Sequence, residues 1–212
     1  MELEYVTVKT VGGLMYGGDQ KLFGSAVRKS GCGMIAACDM ILFLRGEIHQ
    51  SFAEYGKFVE NIRDSEAYKK TANHFGLSPF KTARIINRHC RNSHFAFFSN
   101  VFFGEKKLAA FIESSIAAGL PVILRIGANG KRLPYNIMYP ASGCRRASGH
   151  MTWHYITVTG ISGDTLTFSS WGGKGEMSVK ALRRFRGFTG GFISDKKYIE
   201  NFKRNNLSSP DF

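Results

Sequence analysis

The pattern of hydrophobic and polar positions changes about halfway along the chain. The first half reads mainly as helices, which we predict from 32 to about 45, near 52–75, near 79–91 and near 105–118. The first of these helices is apolar on every side, which indicates burial at the centre of a domain. Ser78 and Pro79 fit the N-cap and first position of the third helix, and Gly119 ends the fourth.

The second half reads mainly as strands. The predicted strands are 120–126, 154–161 and 165–171, with 175–179 and 190–194 extending or closing the sheet. Ser-Gly-Asp at 162–164 predicts a hairpin turn, and we interpret 127–152 as a polar loop. Helices followed by an antiparallel sheet form the α+β arrangement, which is the predicted fold class.

The remaining segments add little to this outline. Residues 2–9 predict a short strand, 11–30 a glycine-rich loop, and 94–103 an aromatic, β-prone run. We find no internal repeat, no low-complexity segment and no linker rich in proline or glycine.

A length of 212 residues suits one large domain or two small ones. Without a linker, the sequence favours a single domain over 1–212. We expect a helical half over about 20–118, a sheet half over about 119–195, and a C-terminal tail over about 196–212.

Composition narrows the class of protein. Hydrophobic residues make up 43% of the chain and charged residues 21%, which is typical of a globular protein and not of a disordered one. No apolar run reaches the roughly 18 residues expected of a membrane-spanning helix. The first residues, MELEYVTVKT, do not resemble a signal peptide, so we expect a cytoplasmic location. The four cysteines then read as free thiols.

The formal net charge is +13. Such a charge attracts nucleic acid, anionic lipid or acidic polymer, so contact with a polyanion through the basic surface is one expectation. Charge alone does not choose among these partners, and the oligomeric state stays open.

Cys32 lies between two glycines, at the start of the apolar helix, in the stretch KSGCGMIAACDMILFL. A helix N-terminus favours an anion, which lowers the pKa of a cysteine placed there and favours the nucleophilic thiolate. Gly31 and Gly33 have no Cβ atoms, so a substrate backbone could approach the sulfur closely. The alternative interpretation is a small apolar residue in a packed turn.

A thiolate nucleophile usually works with a histidine base. His154 begins a predicted strand directly after the polar loop, where it could reach across to a helix N-terminus. Four other histidines lie in helical or aromatic stretches and read as surface or partly buried residues: His49, His74, His89 and His94.

Three motifs in order resemble the papain-like cysteine peptidases, notably the bacterial branch that includes the bacteriocin leader-processing (double-glycine) peptidases. GCGMIAACDMILFL (31–44) resembles the cysteine-bearing helix, AAGLPVILRI (117–126) a strand that precedes the histidine loop, and HYITVTGISGDTLTFSSWGG (154–173) the hairpin that begins with histidine. The resemblance implies a papain-like fold, in which an N-terminal helical part containing the cysteine helix packs on a C-terminal antiparallel sheet.

The resemblance also implies roles for particular residues. Cys32 becomes the nucleophile and His154 the general base and acid. Gln20, with the backbone N–H of Cys32, becomes the oxyanion hole. Gly31, Gly33 and Trp171 are then the expected substrate-binding residues.

One position departs from the family. Where papain-like enzymes have Asn-Ser-Trp-Gly, the segment here is Ser169-Ser170-Trp171-Gly172, at 169–172. Ser169 would then orient the imidazole, although a serine hydroxyl carries no charge. The orienting group could also come from elsewhere, with Asp19 and Asp39 as candidates. A lone carboxylate such as Asp39 can equally cap a neighbouring backbone group.

The predicted function is a thiol-dependent hydrolase, a cysteine peptidase that acts through an acyl-enzyme on peptide or isopeptide bonds. It needs no cofactor and no metal, and its partner is a peptide or protein substrate. With an amine as acceptor, the same residues would make a transferase. A catalytically silent homologue is an alternative.

A DNA-binding protein is another alternative, because 72–88 resembles a helix-turn-helix. Its second helix would present basic side chains to DNA: Lys81, Arg84, Arg88 and Arg91.

Two further hypotheses concern 143–154. Cys144, His150 and His154 suggest zinc, but their spacing matches no paired ligand pattern and no carboxylate joins them. The segment 143–149 reads as a mobile loop flanking the cleft. There Arg145 and Arg146 would favour acidic substrates.

Overall fold

The computed structural model describes residues 1–24, 27–28, 31–65, 77–90, 94–99, 105–127, 132–185 and 187–192. Within these ranges the helices are α1 (Cys32–Leu44), α2 (Phe52–Asp64), α3 (Pro79–His89) and α4 (Glu105–Ala117). Short 3₁₀ helices span Gln20–Leu22, Pro140–Ser142 and Val179–Arg184. None of these described helices is long and apolar enough to cross a membrane.

Eleven strands are found in the same ranges. They are β1 (Thr7–Thr10), β2 (Gly13–Tyr16), β3 (His49–Ser51), β4 (Phe95–Ser99), β5 (Val122–Ile126), β6 (Leu133–Tyr139), β7 (Arg145–Met151), β8 (Tyr155–Ser162), β9 (Thr165–Ser170), β10 (Gly173–Ser178) and β11 (Gly187–Phe192).

The strands form two sheets. The large one has the order β4-β11-β5-β8-β9-β10-β6-β7, and its strand pairs are antiparallel. The small one has the order β2-β1-β3, with β3 parallel to β1. Four helices with a large antiparallel sheet confirm the predicted α+β class.

Helix α1 lies at the centre of the helical half. Every residue from 33 to 42 is buried, as its uniformly apolar sequence predicted. It packs against α2, α3 and β8. Helix α2 is amphipathic instead: it buries Tyr55, Val59 and Ile62, and Ser51 with Glu54 forms a capping box at its start.

The large sheet separates two apolar cores. Alternate residues of a strand point to opposite faces, and β5 shows the division. Ile123 joins the core that contains α1, whereas Val122, Leu124 and Ile126 join the core that contains α4. Arg125 lies two residues after Ile123, so it belongs to the face that packs on α1.

Several predicted helix boundaries are confirmed. Ser78 is the N-cap of α3, where its side chain accepts from the Lys81 N–H, and Pro79 is the first helical residue. Helix α4 ends at Ala117, and Gly119 follows with a φ of 77°, a left-handed conformation that glycine adopts without strain. Helix α2 ends at Asp64, and the rest of that predicted helix, 66–75, lies outside the described residues.

The predicted polar loop over 127–152 is wrong in part, because it contains the hairpin β6–β7. Strand β6 buries Leu133 and Ile137, but its other side chains are partly or fully exposed. Strand β7 lies at the sheet edge, and among its residues only Met151 is buried. A strand that covers so little core has no clear apolar alternation, so its sequence reads as a loop. The predicted loop over 11–30 similarly contains β2.

The helix-turn-helix hypothesis is tested only in its second half, because 72–76 and Arg91 lie outside the described residues. Helix α3 buries Thr82, Ala83, Ile85 and Ile86 and packs on α1. Arg84 and Arg88 are exposed on its other face. DNA binding therefore stays a prediction.

A buried carboxylate ties α1 to its neighbours. Asp39 accepts hydrogen bonds from the Tyr55 hydroxyl of α2 (2.6 Å) and from the Gly18 backbone N–H (3.0 Å). Burial raises its pKa to about 6, although both hydrogen bonds act to lower it. The capping interpretation of Asp39 is therefore the one that its contacts support.

This raised pKa predicts how stability depends on pH. The folded protein keeps a proton on Asp39 that the unfolded chain loses near pH 4, so ionising Asp39 costs stability as the pH rises through about 6. In wild type this term should be on the order of 2 kcal/mol between pH 4.5 and 7. Asp39→Asn can keep both hydrogen-bonded neighbours and should lack the term.

The measurement is urea denaturation of both proteins at pH 4.5 and 7. Contributions from other titrating groups cancel in the difference between the two proteins. An equal pH dependence in wild type and Asp39→Asn would contradict the prediction.

Candidate active site

Cys32 is the first residue of α1, and the first turn of that helix packs against the start of β8. The sulfur is partly buried, with the backbone N–H of Tyr155 as well as those of Gly33 and Cys32 itself beside it. Burial raises the pKa of the thiol above its ordinary value, although these N–H groups and the charge of Arg125 act to lower it. The expected net lowering by the helix end is therefore wrong, because desolvation outweighs it.

The two glycines beside Cys32 have a different role from the predicted one. A Cβ on Gly31 would lie 2.4 Å from the Val27 carbonyl oxygen, and a Cβ on Gly33 would lie 3.1 Å from the Tyr155 ring. Both glycines are buried. The space that a side chain would occupy is filled by Val27 at Gly31 and by the Tyr155 ring at Gly33. The prediction that the two glycines leave room for a substrate is therefore corrected.

His154 is held in place before β8 begins. Its carbonyl accepts from the Ile126 N–H (2.7 Å), and the nearby Thr152 hydroxyl donates to the Gly127 carbonyl (2.9 Å). The ring of Trp171 stacks on the imidazole, with centroids 4.1 Å apart and 19° between the planes. The imidazole therefore has a fixed position at the mouth of the strand.

Ser170 is the hydroxyl that contacts the imidazole. Its Oγ lies 2.6 Å from His154 Nε2. The Ser169 hydroxyl instead donates to the Tyr16 carbonyl (3.0 Å), so the prediction that Ser169 orients the histidine is corrected by one residue. Two adjacent serines gave the sequence no means of choosing between them.

The two candidate aspartates have other partners. Asp39 accepts from Gly18 and Tyr55, as described above. Asp19 caps the Gln20–Leu22 turn by accepting from the Lys21 N–H (2.9 Å). Among the described residues, the hydrogen-bond partner of the imidazole is thus a neutral hydroxyl, that of Ser170.

Gln20 lies at the same site. Its Nε2 donates to the Arg28 carbonyl (2.9 Å), which fixes the orientation of the amide, because only the NH₂ group can donate. One N–H of that group is left over, while Oε1 is buried without a hydrogen-bond partner in the described part of the chain.

One cavity brings the predicted residues together. Its lining includes Gln20, Cys32, Asp39, His154, Ser169, Ser170 and Trp171. Its volume is about 20 Å³, which is room for about one water molecule. Only the reacting atoms of a substrate could enter, so the rest of the substrate would lie outside.

An apolar groove of about 390 Å³ adjoins this cavity and shares Trp171 with it. Its wall includes Val11, Met15, Leu22 and Phe52. It is large enough to hold a side chain of a bound peptide.

Burial, with a smaller contribution from the charge of Lys21, lowers the pKa of His154 to about 3. The imidazole is therefore neutral near pH 7, and the raised pKa of Cys32 keeps the thiol protonated there. At rest the site holds a neutral thiol and a neutral imidazole, not the thiolate that the position of Cys32 at a helix end suggested.

The zinc hypothesis gains no support from the structure. Cys144 and His150 are exposed, at and near the two ends of edge strand β7, whereas His154 is buried before β8. In the described ranges no three histidine, cysteine or acidic residues form a group that could hold a metal ion.

The predicted mobile loop at 143–149 is mostly strand β7. Arg145 and Arg146 are exposed there, and they line neither the cavity nor the apolar groove.

The sequence interpretation missed two residues near His154, Arg125 and Trp153. Arg125 lies on β5, on the opposite side of β8 from β9 and Trp171. The Trp153 ring is 63% exposed, and the Arg125 guanidinium carbon lies 5.0 Å from its centroid. The sequence did contain a signal for Arg125, because this charged residue interrupts the apolar run VILRI of β5.

Comparisons with known proteins give little guidance. No family model matches the chain, and no curated protein matches it significantly. Among solved structures, the chain is similar to a candidate C39-like peptidase from Bacillus anthracis. The two are 10% identical with a TM-score of 0.47, over 84% of this chain and 94% of the other. A likeness at this level carries no argument about activity.

The neutral resting pair predicts the pH dependence of thiol reactivity. Because only the thiolate is alkylated, the rate of Cys32 with iodoacetamide should rise steadily with pH from 6 to 9, without a plateau. The rate is measured at Cys32 by peptide mass spectrometry. A rate that is already constant between pH 5 and 8 would show a stabilised thiolate and contradict the prediction.

Proposed function

We propose that this chain is a papain-like thiol hydrolase, a cysteine peptidase in a single domain, with Cys32 as nucleophile and His154 as general base and acid. The observation that carries the proposal is that a thiol at the end of a buried helix and a fixed imidazole line one cavity too small for anything but the reacting atoms. The pattern of a nucleophile, a base and a third group that orients the base supports it.

The imidazole has one nitrogen available for this chemistry. Ser170 contacts Nε2, which leaves Nδ1 to take the thiol proton. For that tautomer Nε2 must carry hydrogen and donate to the Ser170 oxygen. A serine hydroxyl can also donate, so it favours this tautomer less strictly than an acceptor-only group does.

The reaction follows from these positions. His154 removes the proton as the sulfur attacks a substrate carbonyl, and the backbone N–H of Cys32 with the free N–H of Gln20 stabilises the oxyanion. The imidazolium then protonates the leaving amine, and the C–N bond breaks to leave a thioester on Cys32. Water, activated by His154, releases the acid and restores the thiol.

The proposed substrate is a peptide or isopeptide bond. The apolar groove next to Trp171 suits a hydrophobic side chain of such a substrate, and its size matches that role. Val11 and Leu22 in its wall are exposed, so a bound chain would cover apolar surface.

The neutral resting pair also favours a second candidate, a catalytically silent homologue. The described hydrogen-bond partner of the imidazole, Ser170, carries no charge that could stabilise an imidazolium. Burial also disfavours both the thiolate of Cys32 and the imidazolium of His154. Turnover therefore separates the two candidates.

Removing either member of the pair should abolish hydrolysis. We expect Cys32→Ser and His154→Ala to lower kcat/KM by a factor of about 10³ or more, because the two act as a unit. Cys144→Ser, at an exposed position just before edge strand β7, is the matched control, because Cys144 lines neither the cavity nor the apolar groove. Activity is measured on a fluorogenic peptide library, and the acyl-enzyme is detected by mass spectrometry.

Equal activity of Cys32→Ser and wild type on every peptide that wild type cleaves would overturn the proposal. Absence of any cleavage by wild type, with no acyl-enzyme, would favour the silent homologue.

The position of the orienting hydroxyl gives a separate prediction. Ser170→Ala should lower kcat/KM about tenfold, since it removes one neutral hydrogen bond to the imidazole. Ser169→Ala, which removes a bond to the Tyr16 carbonyl instead, should have a smaller effect. The two variants are compared on the same peptide, and a larger loss in Ser169→Ala would reverse our assignment.

A further inference from the structure

Arg125 is an unusual residue for its position in the sheet. It faces the side that packs on α1, where its neighbour Ile123 is buried in the core. In the sheet it is paired with Tyr155, the residue after His154. A charge at such a position costs free energy unless it is solvated or has a partner.

The charge has no acidic partner in the described part of the chain, where no carboxylate forms an ion pair with Arg125. Its guanidinium instead contacts the Tyr155 hydroxyl, whose pKa it acts to lower, and lies 5.0 Å from the Trp153 ring centroid. The side chain is only partly buried, so an incoming anion could reach it. The strand partner of Arg125, Tyr155, packs its ring against Gly33, the residue after Cys32, which places Arg125 on the same side of the site as the thiol. The charge of Arg125 accordingly acts to lower the pKa of Cys32.

Trp153 has a strained backbone. Its φ is 52°, a left-handed conformation that is rare and unfavourable for a bulky residue. Glycine or asparagine would adopt it more easily, yet the position holds an indole that is 63% exposed. A large ring kept at a strained and exposed position next to His154 points to a contact with something outside the chain.

We propose that Arg125 and Trp153 form a subsite that binds a substrate carboxylate beside the Cys32 sulfur. The proposal rests on the proposed hydrolase function. Trp153 stacks on the guanidinium and the Tyr155 hydroxyl contacts it, so both hold it in place, and its remaining N–H groups donate to the carboxylate. The carboxylate is an Asp or Glu side chain of the substrate, or its C-terminus.

The topology places this subsite opposite the apolar groove. Strand β8 lies between β5 and β9 in the sheet. Arg125 on β5 is therefore on one side of His154, and Trp171 after β9 is on the other. A substrate that crosses the cavity would contact both, with its carboxylate at one end and an apolar side chain at the other.

Two small reagents test the subsite without requiring turnover. Iodoacetate and iodoacetamide alkylate Cys32 in the same way, as the sulfur displaces iodide, but only iodoacetate has a carboxylate. The ratio of their rates is taken at each pH, so the fraction of thiolate cancels. We expect the ratio of the iodoacetate rate to the iodoacetamide rate to be about tenfold or more higher at Cys32 in wild type than at a neutral model thiol.

The variants locate the source of this preference. Arg125→Gln should reduce the ratio to that of the model thiol, while Arg125→Lys should keep part of it. Trp153→Asn, which tolerates the positive φ, should lower the ratio. Arg146→Gln removes the same charge from the exposed edge strand β7 and should leave the ratio unchanged.

An unchanged ratio in Arg125→Gln, or a ratio that falls equally in Arg146→Gln, would overturn the subsite. Circular dichroism checks that each variant is folded. If Arg125→Gln does not fold, the comparison of Arg125→Lys with wild type still tests the subsite.

Peptides then identify the source of the carboxylate. Pairs that differ only as Glu against Gln, or as C-terminal acid against amide, should differ about tenfold in KM in wild type and not in Arg125→Gln. Cleavage without such a difference, together with no iodoacetate preference, would leave the hydrolase and remove the subsite. A clear iodoacetate preference without any cleavage would leave the subsite and remove the hydrolase.

Discussion

The contact between the first turn of α1 and the start of β8 is the constraint on which the site depends. Gly33 lies so close to the Tyr155 ring that even one added carbon would be crowded, at 3.1 Å. Because Cys32 precedes Gly33 and His154 precedes Tyr155, this contact fixes the thiol and the imidazole relative to each other. The uniformly apolar α1 and the antiparallel sheet serve to hold the two chain segments in that position.

The same burial that fixes the pair also sets its charge. Desolvation raises the pKa of Cys32 and lowers that of His154, so both are neutral at rest. Asp39 on the same helix follows the same rule, with a pKa of about 6 despite two hydrogen bonds. In a site this buried, a charge that develops during reaction is stabilised mainly by fixed dipoles, which is the condition under which preorganised N–H donors are most effective.

The order of strands in the large sheet explains how different side chains meet at one point. β8 begins at the site, with β5 and β9 as its neighbours. From β5 comes Arg125, beside Trp153, and from the end of β9 come Ser170 and Trp171. An arginine on one side, an apolar groove on the other and the thiol between them give the site a direction. A substrate would have to match that direction.

Much of the fold was contained in the sequence. The uniformly apolar α1, the Ser78–Pro79 start of α3 and the alternation of β8 and β9 are local patterns, and local physics was enough to predict them. The hairpin β6–β7 was missed, because β6 buries only Leu133 and Ile137 and the edge strand β7 only Met151, which leaves no clear alternation in the sequence.

The site shows the same division. The sequence by itself determined the residue types available, a cysteine at a helix start and a histidine at a strand start. Tertiary structure alone decided which serine contacts the imidazole, that the glycines admit Tyr155 and Val27, and that the thiol pKa rises. Each of these depends on distances between segments far apart in the chain and on how much water packing excludes, and neither quantity is encoded in local spacing.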